Sequence, residues 1–473
     1  MGKRRKAMIT AGLMSVLFFS NISKAAEPDI EGIWMGGLKI PTGEIRIVFK
    51  ISKDQSGSLT AAMDSPDQGA TNLPVSNVTF ENNKLLLESK LIGGSFEGTL
   101  KPDGTFDGQW KQGGLSLPLV LKRSEEAPKV NRPQEPKKPY PYIEEEVTCE
   151  NSEAGVKLAG TLTIPRSDKP CPAVILISGS GAEDRDETIF GHKPFLILAD
   201  YLTRKGIAVL RTDDRGVGGS TGDTMSSTSE DFAGDVIAQV NYVKTRKEID
   251  AGKIGLVGHS EGGIIAPIAA VKSPDVSFIV LMAGTGLTGE EIIYLQSDMI
   301  LKNAGASEKT RSIQKETLKS IFDLIKNDTD ASDMEAKARE ILNDTLDKLD
   351  EKEKEALKTS FDAQLKAITS QWFRFFVTYD PRPALKEVKC PVLALNGSLD
   401  LQVAPKENLA AIEGALKEGG NKYYTIKELP GLNHLFQKAK SGAISEYSMI
   451  EETVSPDALE MISQWILEQT GGK

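Results

Sequence analysis

Histidine and cysteine are scarce in this chain, and each scarcity removes a class of chemistry. Three histidines and three cysteines occur among 473 residues, and no spacing between them resembles a metal site. Neither a metal nor any other cofactor is implied. Positive charge is also short: the formal net charge is −10. A surface of that sign repels phosphate backbones and anionic lipid, which argues against nucleic acid as a partner. Long apolar runs are missing as well. The leading one, residues 7 to 22, is shorter than the ~20 residues that span a bilayer.

That leading run has the three parts of a secretory signal. Lys3, Arg4, Arg5 and Lys6 are basic, the apolar stretch follows, and Ser23-Lys24-Ala25 offers small residues to a signal peptidase. Cleavage after Ala25 is expected, with export to the periplasm or medium and no stable membrane insertion afterwards. Loss of residues 1–25 removes five positive charges and no negative ones, which takes the net charge to −15. In an exported chain Cys149, Cys171 and Cys390 are an odd count; small buried thiols are expected, one disulfide being the alternative.

Three textures follow. Residues 28–123 alternate in short runs such as "EIRIVFKI", "KLLLES" and "GSFEGTL" with turn signals between them. Seven or eight strands are expected there, in a small antiparallel barrel or sandwich with Trp34 and Trp110 in its core. Residues 124–139, "SEEAPKVNRPQEPKKP", are rich in proline and charge and read as a linker that packs poorly. From 140 to 473, strands alternate with helical patterns, the signature of a mostly parallel sheet flanked by helices. Between "FIVLMAGTG" and "CPVLALNG" the chain is far longer than one crossover needs. Helical spacing of Leu318, Ile321, Phe322 and Ile325, and of Leu357, Phe361, Leu365 and Ile368, makes residues 287–385 an inserted helical cap. Its aromatic end, "QWFRFFVTY", is expected to pack over something.

The chemistry concentrates in "KIGLVGHSEGGIIAPIAA". Gly258-His259-Ser260-Glu261-Gly262 joins an apolar strand to an apolar helix, the arrangement that lifts a serine hydroxyl from the end of a sheet. A second match, Gly218-Gly219-Ser220-Thr221-Gly222, lies in a loop-like stretch without that context. "LISGSGAEDRD", "RTDDRGVGGSTG", "GHSEGG", "LNGSLDLQV" and "PGLNH" follow successive strands in order. With these five motifs, residues 140–470 resemble the α/β-hydrolase superfamily, in particular bacterial carboxylesterases of the EstD kind with an extra N-terminal β-domain.

A serine hydroxyl is a weak nucleophile without a base in reach. His259 adjoins Ser260 and is expected to point away from it, and His192 lies upstream. The superfamily's chain order of serine, acid, histidine leaves His434 as the base. Asp400, just past its strand, is the expected acid; Asp380 and Glu428 are the alternatives on residue type alone. The resemblance implies backbone N–H groups of Ser180 and Glu261 as an oxyanion hole, with Ser178 standing where many relatives have histidine. Asp213-Asp214-Arg215-Gly216 reads as a turn held by its own ion pairs.

The function so implied is hydrolysis of a small-molecule or glycan ester through an acyl-serine. A prolyl-oligopeptidase-type serine peptidase and a non-catalytic binding protein on the same fold are the alternatives. About 95 residues of short strands are too few for the large propeller such peptidases carry. Ser260→Ala is expected to abolish both hydrolysis and labelling by an organophosphate probe without unfolding the chain. Ser220→Ala is expected to keep activity within about a few-fold, because only Ser260 has the strand–turn–helix setting. A dead Ser220 variant beside an active Ser260 variant would reverse the assignment.

Overall fold

A computed structural model describes residues 28–471, apart from 41–42, 55, 69, 113–114, 127–130, 328–330, 352–353 and 355–363. The expected leader lies outside the described residues. Nine strands form the first unit: β1 (Gly32–Ile40), β2 (Gly43–Lys53), β3 (Leu59–Ser65), β4 (Ala70–Pro74), β5 (Asn77–Glu81), β6 (Lys84–Ser89), β7 (Gly94–Leu100), β8 (Phe106–Gln112) and β9 (Leu115–Ser124). They make one antiparallel sheet in the order β4-β3-β2-β1-β9-β8-β7-β6-β5. Its two edge strands are consecutive in the chain, so the sheet curls round a single core. Trp34 and Trp110 are both buried in that core with Phe49, Phe96 and Phe106. Nine strands replace the expected seven or eight because β4 and β5 are five residues each and carry asparagine and proline. Those residues are depleted from strands, and here the sheet imposes the conformation against local preference.

The second sheet has eight strands: β10 (Ile143–Asn151), β11 (Val156–Ile164), β12 (Cys171–Ile177), β13 (Ala208–Thr212), β14 (Ile249–His259), β15 (Val276–Met282), β16 (Val392–Gly397) and β17 (Tyr424–Leu429). Their spatial order is β10-β11-β13-β12-β14-β15-β16-β17. The first two run antiparallel to their neighbours and the rest are parallel. With the serine turn after β14, this is the α/β-hydrolase fold. Strands β12 and β16 are buried along nearly their whole length, as parallel strands covered on both faces must be.

Helices α1 (Pro194–Arg204), α2 (Ser229–Lys244) and α3 (Gly262–Lys272) connect the central strands. Between β15 and β16 come α4 (Gly289–Asn303), α5 (Glu308–Asn327), α6 (Ala331–Lys348), α7 (Gln371–Thr378) and α8 (Arg382–Glu387). After them come α9 (Pro405–Glu418) and α10 (Pro456–Thr470). Residues of α2, α3, α8 and α9 build the core on one face of the sheet, and those of α1 and α10 the core on the other. Helices α5 and α6 close over a third cluster centred on Phe322, with Leu365, Ile368 and Val377. Leu357 and Phe361 lie outside the described residues. Cys149, Cys171 and Cys390 are all free thiols.

The segment read as a poorly packing linker is docked on the hydrolase sheet's loops. The Arg132 guanidinium donates to the carbonyls of Phe190, Gly191, Ser448 and Ile450 at 2.8–3.2 Å. Gln134 donates to the Val454 carbonyl and accepts from the N–H groups of Thr453 and Val454. The first unit touches the same region, where the Ser448 hydroxyl donates to the Asp67 carbonyl. Proline and charge made the segment look solvated; fixed carbonyls on two separate loops supply partners that its composition does not reveal. Arg132→Ala is expected to destabilise the chain by about 2 kcal/mol, the scale of hydrogen bonds from a charged donor. Exposed Lys137→Ala is expected to stay within about 0.5 kcal/mol. Urea unfolding of the two variants checks the difference, and equal midpoints would show that the dock contributes nothing.

Candidate active site

The serine turn owes its shape to glycines that leave no room for a side chain. A Cβ on Gly258 would lie 2.0 Å from the Gly262 carbonyl oxygen, and one on Gly262 would lie 2.3 Å from the Ile177 carbonyl oxygen. Helix α3 therefore starts in backbone contact with β14 and β12. Ser260 sits between them at φ +54°, in the left-handed region that costs a residue with a side chain. Its N–H donates to the Met282 carbonyl at 2.9 Å. The chain turns sharply there, and Ser260 lines a cavity of about 220 Å³.

Above that cavity stands His434, on the loop after β17. Its Nδ1 is 2.8 Å from Asp400 Oδ2, and both residues are buried. Asp400 Oδ1 accepts the N–H groups of Gln402 and Val403 at 2.7 and 2.9 Å. The carboxylate is thus compensated on both oxygens, which is the condition for keeping a charge buried. The two alternative carboxylates are engaged or exposed: Asp380 pairs with Arg382 at 2.7 Å, and Glu428 is exposed on β17. Ser260, His434, Ser180 and Glu261 all line this same cavity. Among the described residues neither the Ser180 nor the Glu261 N–H has a protein partner.

Ser220 is structural, its hydroxyl donating to the Asp213 carbonyl and accepting the Ala159 N–H. His192 is fully buried, with Nδ1 against the Thr453 hydroxyl and Nε2 on the Tyr447 carbonyl. Burial lowers its pKa to about 4, so it is neutral. The Asp213-Asp214-Arg215 turn is not held by its own ion pairs. Asp213 pairs with Arg185, Arg215 with Asp235, and Asp214 accepts from the Ser178 hydroxyl and the Glu183 N–H. Ser178 therefore braces the loop that carries Ser180 by reaching a carboxylate.

Two participants, His259 and Glu187, were not anticipated. His259, expected to point away, lines the cavity; its Nδ1 is 2.8 Å from Glu187 Oε1 and its Nε2 is 3.0 Å from the His434 carbonyl oxygen. Glu187 also accepts the Gly179 N–H at 2.9 Å. From the cap, Trp372 donates its indole N–H to Glu261, whose carboxylate also accepts from the Ser229 hydroxyl. Burial pushes the Glu261 carboxyl above its ordinary pKa against those hydrogen bonds. The "QWFRFFVTY" segment thus packs on the site, with Trp372, Phe373 and Phe376 walling the cavity. An acidic run after β12 and an aromatic run beside a cap were the only hints of these residues in the sequence.

Comparison with protein families matches residues 154–426 to the one described as X-Pro dipeptidyl-peptidase (S15 family). The chain belongs to that family. With it goes membership of the serine hydrolases built on the α/β-hydrolase fold. Among curated proteins it is similar to esterase EstD of Thermotoga maritima, at 26% identity over 370 residues, 77% of this chain and 76% of the relative. Similar solved structures include Pyrococcus furiosus esterase Pf2001, at 17% identity and TM-score 0.42, covering 72% of this chain and 97% of that one. Another is Est1E of Butyrivibrio proteoclasticus with ferulic acid bound, at 17% identity and TM-score 0.40, covering 69% and 99%.

The site's buried charges make stability pH-dependent. Burial disfavours the charged His259 ring, yet Glu187 outweighs it and lifts the pKa to about 9 from 6.5. The folded chain then keeps a proton that the unfolded chain loses above about 6.5, so this stabilisation is complete below 6.5 and lost toward 9. Burial, together with neighbouring carboxylates, raises Glu183 and Asp214 to about 7. Their folded forms also hold extra protons, so stability falls as pH rises to 7. His192 acts oppositely, but only between about 4 and 6.5. Tm is therefore expected to fall steadily from pH 6.5 to 9, with a shallower slope in His259→Gln. A Tm that rises over that range would contradict the charged state of His259.

Proposed function

We propose that this chain is a serine carboxylic-ester hydrolase that works through an acyl-serine intermediate. Ser260 Oγ attacks the ester carbonyl while His434 takes its proton. His434 then gives that proton to the departing alkoxide, and water repeats the sequence to release the acid and free Ser260. Asp400 holds the imidazole in the tautomer that leaves Nε2 as acceptor and stabilises the imidazolium. The N–H groups of Ser180 and Glu261 receive the oxyanion, a contribution worth ~10² to 10³ in kcat per donor. The observation that carries this reading is the 2.8 Å His434–Asp400 contact, with Asp400's other oxygen saturated, beside a strained serine in the same cavity.

The cavity also bears on the substrate. Its volume of about 220 Å³ is below the about 300–1,000 Å³ of sites that enclose drug-sized ligands. Its cap side is aromatic and aliphatic, which suits a short acyl group. The basic–apolar–small pattern of residues 1–25 supports export as part of the proposal.

The family description favours one other reading, release of X-Pro dipeptides. Paired assays separate the two: wild type is expected to hydrolyse p-nitrophenyl acetate and butyrate far faster than Ala-Pro-p-nitroanilide, and palmitate esters poorly. His434→Ala is expected to lower kcat at least about 10³-fold. Preferential cleavage of the anilide would replace the esterase reading with the peptidase one.

A further inference from the structure

One carboxylate reaches three parts of the reaction's machinery. Glu187 lies in the loop between β12 and α1, at φ +52°, a left-handed conformation for a residue with a side chain. Its Oε1 accepts the Gly179 N–H at 2.9 Å and faces His259 Nδ1 at 2.8 Å. The far side of the same ring, Nε2, is 3.0 Å from the carbonyl oxygen of His434. Gly179 immediately precedes Ser180, His259 immediately precedes Ser260, and His434 is the base. A chain of three hydrogen bonds therefore spans oxyanion loop, nucleophile turn and base loop, which come from well-separated parts of the sequence.

The protonation of this chain follows from its ends. A carbonyl oxygen only accepts, so His259 Nε2 carries a proton. Glu187 Oε1 already accepts from Gly179, and its contact with Nδ1 is shortest and strongest when that nitrogen is protonated too. Glu187 and His259 are 4% and 5% exposed, so the pair is shielded from water. Among the described residues Glu187 Oε2 has no partner. A buried carboxylate left half satisfied is costly as mere packing. The His259 and His434 rings lie 4.8 Å apart between centroids, so any shift of one is felt by the other.

We infer that Glu187 and His259 act as one positioning pair, fixing the distance between the Ser180 oxyanion donor and the His434 base. Neither transfers a proton to substrate. This rests on the proposed triad, and it goes beyond it by giving a role to two residues outside it. Misplacing reacting groups by about 1 Å costs about 10²-fold in rate, so the pair should be visible in kcat.

The test measures kcat and KM on p-nitrophenyl acetate for Glu187→Ala, His259→Ala and the double variant, each normalised to active sites counted by organophosphate titration. Each single variant is expected to lose about 10²-fold in kcat with KM within about threefold of wild type. The double variant is expected to lose no more than either single, because both remove the same brace. Glu187→Gln preserves size, and it covers the case in which an alanine variant does not fold. Its single amide oxygen can keep Gly179, but the charge that holds the doubly protonated ring is gone, and a loss of about tenfold or more is expected. A kcat per titrated site within about threefold of wild type in Glu187→Gln or either alanine variant would overturn the inference. So would losses that multiply in the double variant, or a change confined to KM. Ser260→Ala is run in parallel. If it still takes the probe, the triad reading fails and this inference with it; if labelling needs Ser260, failure of the Glu187 variants to lose kcat overturns the positioning role alone.

Discussion

The whole site hangs on the contact between the start of α3 and the ends of β12 and β14. Backbone atoms there approach more closely than any Cβ allows, at both Gly258 and Gly262. That approach forces Ser260 into a left-handed conformation and puts its hydroxyl beyond the sheet. A hydrophobic core on each face holds the strands and helices that enforce the turn. Strain at one residue persists because many packed neighbours over-determine it.

Around the turn, the chain concentrates acid and then disposes of each charge differently. Asp400 is satisfied by two backbone N–H groups and a histidine. Asp213 is paired with Arg185, and Arg215 with Asp235. Glu187 is matched by a histidine that it keeps charged. Burial, with other carboxylates close by, shifts Glu183 and Asp214 upward. Burying several ionisable groups near one cavity is tolerable only with partners or with protons, and both solutions occur within one loop cluster.

The cap and the docked segment reach the site by different routes. Trp372 reaches Glu261, the residue after Ser260, so the cap is tied to the serine turn by a hydrogen bond as well as by aromatic packing. Arg132 grips the carbonyls of Phe190 and Gly191, three and four residues past Glu187. The segment between the two units therefore restrains the loop that carries Glu187, one partner of the Glu187–His259 pair.

Much of this was legible in the residues alone, where local rules apply. The serine turn declares itself because glycine on both sides of a serine, between an apolar strand and an apolar helix, satisfies a steric demand confined to a few residues. Chain order and positions just past strands singled out Asp400 and His434, and the fold brings the two within 2.8 Å of each other. What local pattern could not carry was partnership across distance. His259 was read as pointing away because adjacency to Ser260 was the only information available, whereas its partners lie 72 and 175 residues off. The segment holding Arg132 read as a linker that packs poorly because the four acceptors of that guanidinium are carbonyls on remote loops, and carbonyls have no signature in a sequence. Steric necessity at short range is written into residue type. Which buried charge meets which donor depends on where the folded sheet brings separate loops together, and only the tertiary structure decides that.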